Sequence, residues 1–196
     1  LKKIKNINNI IIACTDNYND IKIIKLCKKM NLKYYIGSEK NVLERFYLAA
    51  KKYKSKNIIR VTSDCPLIDP KIVNEGVKIF FNKKVDYLSN CYPPTFPDGL
   101  DFEIFKFNSL KKAYFNSKNI IEKEHLTQYI VNNSKFSKFN FENKKDFSQI
   151  RLTVDYYKDY LLIKKIFQKF KNNFYISFKE ILKLYNADKN LFRLNK

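Results

Sequence analysis

Short apolar runs alternate along the first half of the chain with segments in which apolar residues recur at helical spacing. The apolar runs predict strands at residues 9–14, 33–36 and 57–61, and the helical spacing predicts helices at 20–30, 41–53 and 70–81. This threefold alternation indicates right-handed crossovers and a mostly parallel sheet with helices on both faces. The sequence therefore predicts an α/β fold. Because no linker, repeat or low-complexity tail interrupts residues 1–196, we predict a single domain.

The second half of the chain continues this pattern with less regular elements. Strands are predicted at residues 85–89, 100–105, 136–141 and 149–154, and helices at 108–113, 122–133, 157–170 and 177–184. In Leu100 to Phe105 the acids alternate with apolar residues, so this strand is expected to have one face in a cleft or in water.

An acid follows two of the predicted strands, Asp64 after the strand at 57–61 and Asp155 after the strand at 149–154. Ligands of open α/β sheets bind at the carboxyl ends of the strands, and Mg²⁺ prefers one or two protein carboxylates together with water and phosphate oxygens. Asp64 and Asp155 are therefore candidate metal ligands and candidate catalytic residues. The structural alternative is that Asp64 caps the turn before the helix that begins near Pro70.

The composition is that of a globular protein, with 45% hydrophobic and 16% aromatic residues. No apolar run reaches the roughly 18 residues of a membrane span, and no export signal is recognisable, so a cytoplasmic location without membrane association is expected. The four cysteines lie far apart without a CxxC pair, which predicts free thiols.

A formal net charge of +20 would by itself suggest a nucleic-acid-binding protein. The lysines, however, are spread along the whole chain and accompany an excess of Asn, Ile, Phe and Tyr, which is typical of an AT-rich coding sequence and argues against that class. The four arginines, Arg45, Arg60, Arg151 and Arg193, are therefore informative. Their planar fork binds a carboxylate or phosphate at two points, which lysine cannot do.

Five sequence blocks carry a resemblance to a known family. They are GSEKNVLERFYLAAKKY, RVTSDCPLIDP, DYLSN with PPTFPDGLDFEIF, EKEHLTQYI, and IRLTVDYYKDY. In order and spacing they resemble the spore coat polysaccharide biosynthesis type of cytidylyltransferase, a group similar to the CMP-sugar synthetases that act on acylneuraminate and 3-deoxy-manno-octulosonate. The resemblance covers nearly the whole chain from Asn9 onward.

The resemblance implies a nucleotide-diphospho-sugar transferase fold, a Rossmann-like three-layer αβα sandwich. The implied reaction transfers a nucleotidyl group from CTP to a sugar or sugar acid and releases pyrophosphate, in cell-surface polysaccharide or glycoconjugate synthesis. The family's metal-binding acids match Asp64 and Asp155, with Mg²⁺ as the cofactor. Its nucleotide-binding residues match Glu44, Arg45 and Asp64, and its sugar side matches Asp98, Gly99, Asp101, Glu124, His125 and Arg151.

The chain departs from the family pattern at its beginning. Nothing in it resembles the family's phosphate-binding loop, QARMGSTRLPGK, so we expect these residues to be part of a longer protein that lacks its first strand and that loop here. Alone, the chain is then expected to be inactive, to bind CTP no better than about millimolar, and to associate through the unpaired sheet edge, for example as a homodimer. The alternatives are a non-catalytic sugar- or nucleotide-binding remnant of this fold and a basic nucleic-acid-binding protein.

Overall fold

The computed structural model describes residues 1–195 as alternating helices and strands. The strands are β1 (Ile11–Thr15), β2 (Lys33–Gly37), β3 (Asn57–Arg60), β4 (Tyr87–Ser89), β5 (Glu103–Lys106) and β6 (Lys138–Asn140). The helices are α1 (Ile21–Lys29), α2 (Val42–Lys52), α3 (Pro70–Lys83), α4 (Phe107–Asn116), α5 (Ile120–Glu124), α6 (Gln128–Asn132), α7 (Tyr157–Lys169) and α8 (Phe178–Ala187), with short 3-10 helices at Tyr18–Asp20 and Leu191–Arg193. The predicted α/β fold is confirmed.

The strands form two sheets. Strands β1 and β2 pair in parallel, with Ile11 opposite Lys33, as expected for two strands joined through helix α1. The other four strands form a sheet of order β3-β5-β4-β6. The inner strands β4 and β5 are almost wholly buried, whereas β3 is only half-buried at the end of this sheet.

The exposure expected for Leu100 to Phe105 is wrong. Every residue of this segment except Asp101 is buried, including the acid Glu103, which is 5% exposed. Glu103 is stabilised there by an ion pair with Arg60 of β3, a residue that is itself only partly exposed. The alternation of acids and apolar residues thus reflects a buried ion pair, which sequence periodicity does not distinguish from a solvent-facing strand.

The described chain divides into two compact units. The first comprises Leu1–Ile58, Lys83–Tyr87 and Ile104–Lys138, and the second comprises Ile59–Asn82, Leu88–Glu103 and the described residues from Phe139 onward. Strands β3 to β6 each contribute residues to both units. The single-domain count stays a prediction.

In the first unit, helix α2 supplies the centre of the core. Leu43 and Tyr47 are nearly fully buried and pack in one cluster with Phe105, Leu110 and other apolar residues. The ring of Tyr47 stacks on that of Tyr114 at 4.3 Å between centroids. Helix α2 begins where the Asn41 side chain accepts a hydrogen bond from the Glu44 N–H, and this cap fixes the position of the following turn.

The core of the second unit combines aromatic rings with one close helix contact. Phe96 packs against Phe141 and Phe178 at centroid distances of 5.3 and 5.7 Å. A Cβ on Gly76 of helix α3 would lie 2.4 Å from the Phe102 ring, so only glycine lets this ring lie against the helix.

A buried acid, Asp69, connects two helix starts in the second unit. Its carboxylate accepts hydrogen bonds from the Lys71 N–H at 2.8 Å and from the Phe178 N–H at 2.9 Å. Both are amides of a first helical turn, which has no acceptor within its own helix. One side chain therefore stabilises the beginnings of α3 and α8.

Two predicted elements in the second half differ from the structure. Residues 149–154 do not form a strand but contain one isolated bridge, between Arg151 and Asp98. The helix predicted over 122–133 is divided into α5 and α6, because the backbone of His125 is not helical, with ψ of 86°, and the two residues that follow it are buried. The apolar Leu126 enters the core at this break, and this gain in burial opposes continuation of the helix.

Candidate functional site

The segment from Arg151 to Asp155 brings several predicted site residues of the second unit together. The Leu152 N–H donates to the Asp98 carbonyl at 2.7 Å, and the Val154 N–H donates to the Asp64 carbonyl at 2.9 Å. The loops that carry Asp98 and Asp64 therefore contact neighbouring residues of one extended segment. Asp98 and Asp64 are thus both adjacent to this segment. The roles of their carboxylates stay predictions.

Arg151 binds three carboxylates in this region. Its Nη1 donates to Asp98 at 3.0 Å, its Nη2 donates to Asp155 and, at 3.2 Å, to Asp159, and its Nε donates to Asp159 at 3.4 Å. The hydrogen bonds that the guanidinium donates to Asp159, and to a lesser extent to Asp155, raise its pKa above the ordinary value. Arg151 is thus a fixed positive charge among three acids.

Asp159, in the first turn of helix α7, holds this arrangement in place. Its carboxylate is 2% exposed and accepts hydrogen bonds from the backbone N–H groups of Asp155 and Tyr156 at 3.0 and 2.9 Å, and from Asn195 at 3.1 Å. Burial alone would raise the pKa of this carboxyl, but the bonds from Arg151 and from the two backbone amides outweigh it and hold the pKa well below the usual range.

The carboxylates of Asp64 and Asp155 have the donor chemistry of a Mg²⁺ site. Both are accessible, since Asp64 is partly exposed and the Asp155 side chain is 47% exposed, and both offer only oxygen. The neighbouring Cys65 thiol is buried, and burial raises its pKa to about 12, so the metal-free thiol is protonated at neutral pH. Among residues 1–195 there is no group of three or more Asp, Glu, His or Cys side chains arranged for a metal ion. Asp64 and Asp155 are only two side chains, and a Mg²⁺ site of this kind would be completed by water and phosphate oxygens.

The turn at Asp98 and Gly99 packs directly on the Arg151 segment. Gly99 has φ of 103°, and a Cβ there would lie 2.6 Å from the Leu152 carbonyl carbon, so this position requires glycine. The Gly99 N–H donates to Asp101 at 3.2 Å. Burial, and to a lesser extent the charge of Asp98, raises the pKa of Asp101 to about 6. Near neutral pH this carboxyl can therefore either accept or donate a hydrogen bond.

Four of the predicted site residues belong to the first unit. Glu44 and Arg45 lie in the first turn of α2. The Arg45 Nη1 donates to the Ser38 carbonyl at 2.6 Å. The Arg45 side chain also packs against Gly37, where an added Cβ would lie 3.0 Å from the Arg45 Cγ. Glu124 ends helix α5 and His125 follows it, and both are exposed. The assigned roles of these four residues in nucleotide and sugar binding stay predictions.

Sequence comparison places the chain in a family. The model of the cytidylyltransferase family matches residues 1–196, which is the whole chain. The chain belongs to the cytidylyltransferase family. This confirms the resemblance drawn from the five sequence blocks, and it supports nucleotidyltransferase activity with CTP as the nucleotide.

Individual cytidylyltransferase relatives agree with this assignment. The spore coat polysaccharide biosynthesis protein SpsF of Bacillus subtilis is 31% identical over 188 residues, which cover 94% of this chain and 77% of that protein. An uncharacterized protein of Methanocaldococcus jannaschii is 36% identical over 165 residues, covering 83% of this chain and 67% of that protein.

Solved structures show the same fold. A cytidylyltransferase from Leptospira borgpetersenii superposes with a TM-score of 0.92 at 31% identity, covering 98% of this chain and 82% of that one. A CMP:2-keto-3-deoxy-manno-octonic acid synthetase, solved with CTP, superposes with a TM-score of 0.59 at 10% identity, covering 87% and 83% of the two chains. At that identity the second likeness shows the fold alone, and it agrees with the Rossmann-like architecture expected from the sequence.

Two features of this cytidylyltransferase were not predicted as parts of the site. Asp159 and Asn195 bind the Arg151 segment, and Asn195 also donates to the Arg151 carbonyl at 3.1 Å. For Asp159 a sequence signal exists, because an acid at the third position of a helix, three residues after the residue that caps it, commonly accepts a hydrogen bond from a free backbone N–H at the helix start. Asn195 carries no such signal.

No helix among residues 1–195 has the length and apolar character needed to cross a bilayer.

Proposed function

We propose that this cytidylyltransferase transfers CMP from CTP to an oxygen of a small sugar or sugar acid, with release of pyrophosphate, in the synthesis of a cell-surface polysaccharide or glycoconjugate. The observation that carries the proposal is the single segment on which Asp64, Asp98, Arg151 and Asp155 converge. Nucleotidyl transfer needs positioned charges more than reactive side chains, because its barrier lies largely in orienting the reactants and in neutralising phosphate charge.

The names of similar proteins support the sugar as acceptor. One relative takes part in spore coat polysaccharide biosynthesis, and one structural neighbour is a synthetase of a CMP-linked sugar acid. An acidic sugar suits this site because Arg151 offers a charged two-point donor and the partly buried Asp101 can exchange hydrogen bonds with hydroxyl groups. A location in the cytoplasm and self-association as a homodimer are parts of the same proposal.

Each predicted residue has a role in this proposal. Asp64 and Asp155 would hold Mg²⁺, which when bound neutralises the negative charge that develops on the phosphates. Arg151 binds the anionic group of the sugar, while Asp98 and Asp101 accept its hydroxyls on the turn that Gly99 permits. Glu44 and Arg45 contact the nucleotide, and Glu124 and His125 contact the sugar.

A pyrophosphate-release assay tests this function. The longest natural protein that contains this chain is incubated with CTP, Mg²⁺ and a panel of neutral and acidic sugars, and CMP-sugar is identified by mass spectrometry. Asp155→Asn should lower turnover by about 10² or more, because one preorganised charge is lost. Asp146→Asn, on an exposed loop, is the matched control and should keep full activity. Equal turnover by Asp155→Asn and the parent protein, or no product with any sugar, would contradict the proposal.

A further inference from the structure

The guanidinium of Arg151 binds the Asp155 carboxylate, which in the proposed function is a ligand of a cation. Its Nη2 donates to the Asp155 carboxylate, while Nη1 binds Asp98 at 3.0 Å. The Arg151 side chain is 34% exposed and that of Asp155 is 47% exposed, so solvent and ions reach this pair. Because a carboxylate attracts any cation that reaches it, Arg151 and a metal ion have the same target.

Arg151 does not depend on Asp155 for its position. Asp159 binds both Nε and Nη2, and its side chain is only 2% exposed, while Asp98 binds Nη1. If the Asp155 carboxylate turned away, two of the three acids would still hold the guanidinium. The exposed pair with Asp155 is thus the weakest and most easily exchanged of the three.

The backbone at Asp155 is equally independent of this ion pair. Its N–H and that of the following Tyr156 donate to the buried Asp159 carboxylate at 3.0 and 2.9 Å, and the preceding Val154 N–H donates to the Asp64 carbonyl at 2.9 Å. The main chain is therefore fixed on both sides of the side chain. Only side-chain torsions need to change for the Asp155 carboxylate to leave Arg151, and such rotations are fast in exposed residues.

We propose that Arg151 and a divalent cation compete for the Asp155 carboxylate, so that cation binding frees one Nη2 N–H of Arg151 for the anionic group of the sugar while Asp159 and Asp98 keep the guanidinium in place. The inference rests on the proposed function, in which Asp155 is a cation ligand. It gives an order of events in which the cation binds before the acidic sugar. Without a cation, Arg151 neutralises Asp155 and is a poorer donor for substrate.

The expected size of the competition follows from simple electrostatics. Charges of +1 and +2 about 4 Å apart in water repel by an amount that corresponds to roughly thirtyfold in binding. An exposed salt bridge alone is worth at most about fivefold. Removing the Arg151 charge should therefore tighten binding of a divalent cation at Asp155 by about five- to thirtyfold.

Mn²⁺ binding measures this directly, without turnover. Free Mn²⁺ is followed by electron paramagnetic resonance in the absence of nucleotide for the parent chain, Arg151→Met and Asp155→Asn. Arg193→Met is the control, because it removes the same charge from an arginine whose Nη1 donates to Asn190 and not to an acid. We expect tighter binding only in Arg151→Met and a lost site in Asp155→Asn. Unchanged or weaker binding in Arg151→Met, or equal tightening in Arg193→Met, would overturn the proposal.

A second measurement leaves Arg151 and its contacts with Asp98 and Asp159 intact. The chain has four arginines, so the side-chain region of its ¹⁵N spectrum contains few guanidinium signals. On titration with Mg²⁺, the Arg151 signals should shift in the parent chain and stay in place in Asp155→Asn. An Arg151 signal that does not move while Mn²⁺ or Mg²⁺ saturates the Asp155 site would exclude the competition. Neither of these two measurements depends on product formation. If the enzyme is active but neither Mn²⁺ binding nor the Arg151 signals change as expected, only the competition is refuted. If no pyrophosphate is released, only the proposed function is refuted.

Discussion

Replacement of Asp159 by asparagine removes one buried charge and leaves the shape of the side chain unchanged. In the folded protein Oδ2 of Asp159 accepts hydrogen bonds from Asp155, Tyr156 and Arg151, and Oδ1 accepts from Arg151 and Asn195. Asparagine has one oxygen, so whichever way its amide turns, its NH₂ group faces at least two donors. Those donors lose their acceptor, and Arg151 loses its most buried counter-charge.

The cost can be estimated from these contacts. Breaking a buried ion pair by removing one partner costs about 3–5 kcal/mol, and a hydrogen bond to a charged group contributes about 1.5–3 kcal/mol. Since Arg151 is 34% exposed and water can replace part of the loss, we expect Asp159→Asn to lower the free energy of unfolding by about 2–4 kcal/mol. For a chain of this size that corresponds to a fall in Tm of about 5–15 °C.

Thermal unfolding followed by circular dichroism, repeated at several pH values, tests this estimate. The pKa of Asp159 in the folded protein lies below the ordinary value of 3.8, so its stabilisation is complete above about pH 4 and is lost as the pH falls further. The difference between parent and variant should therefore be full at pH 7 and shrink below pH 4. Glu75→Gln, which replaces an exposed acid of helix α3, should show no measurable change. A Tm within about 2 °C of the parent at pH 7, or a difference independent of pH, would refute the reasoning.

Two further predictions concern the turn beside this network. Gly99→Ala places a Cβ 2.6 Å from the Leu152 backbone at φ of 103°, so urea unfolding should show a loss of about 2–4 kcal/mol, with a smaller loss for Gly37→Ala, whose nearest neighbours are side-chain atoms. Asp101 has a folded pKa of about 6 against 3.8, so the folded state binds its proton more tightly, and stability from this group rises as pH falls from 7 to 4. Asp101→Asn should remove about 1–3 kcal/mol of that pH dependence, and an unchanged pH profile would contradict the burial of its charge.

Local signals in the sequence predicted much of the fold. The bounds of β1, α1, β2, α2 and α3 lie within two residues of those predicted. Such elements are set by neighbouring residues, as at Ser177 and Asn41, whose side chains cap the helices that begin after them. Tertiary contacts do not contradict these preferences, so propensity and structure agree.

The strand predicted at 149–154 does not form, because contacts with distant loops override its local preference. Its residues favour a strand, but its amide groups bind single carbonyls of separate loops, including those of Asp98 and Asp64, instead of a neighbouring strand. The pairing of Arg151 with Asp98 spans 53 positions. The sequence indicated both residues as candidates, yet their contact and the support from Asp159 depend on how distant loops meet, which residue spacing does not encode.

The Asp69 carboxylate, which accepts amide hydrogens at the starts of α3 and α8, has a consequence for how the chain unfolds. Asp69 and Phe178 are 109 positions apart, so this contact closes a long loop whose entropic cost is recovered only when both helices are formed. Helices near the end of a chain commonly fray independently. Here the first turn of α8 cannot detach without exposing a buried acid, and the two helices should therefore open as one cooperative unit with equally slow amide exchange.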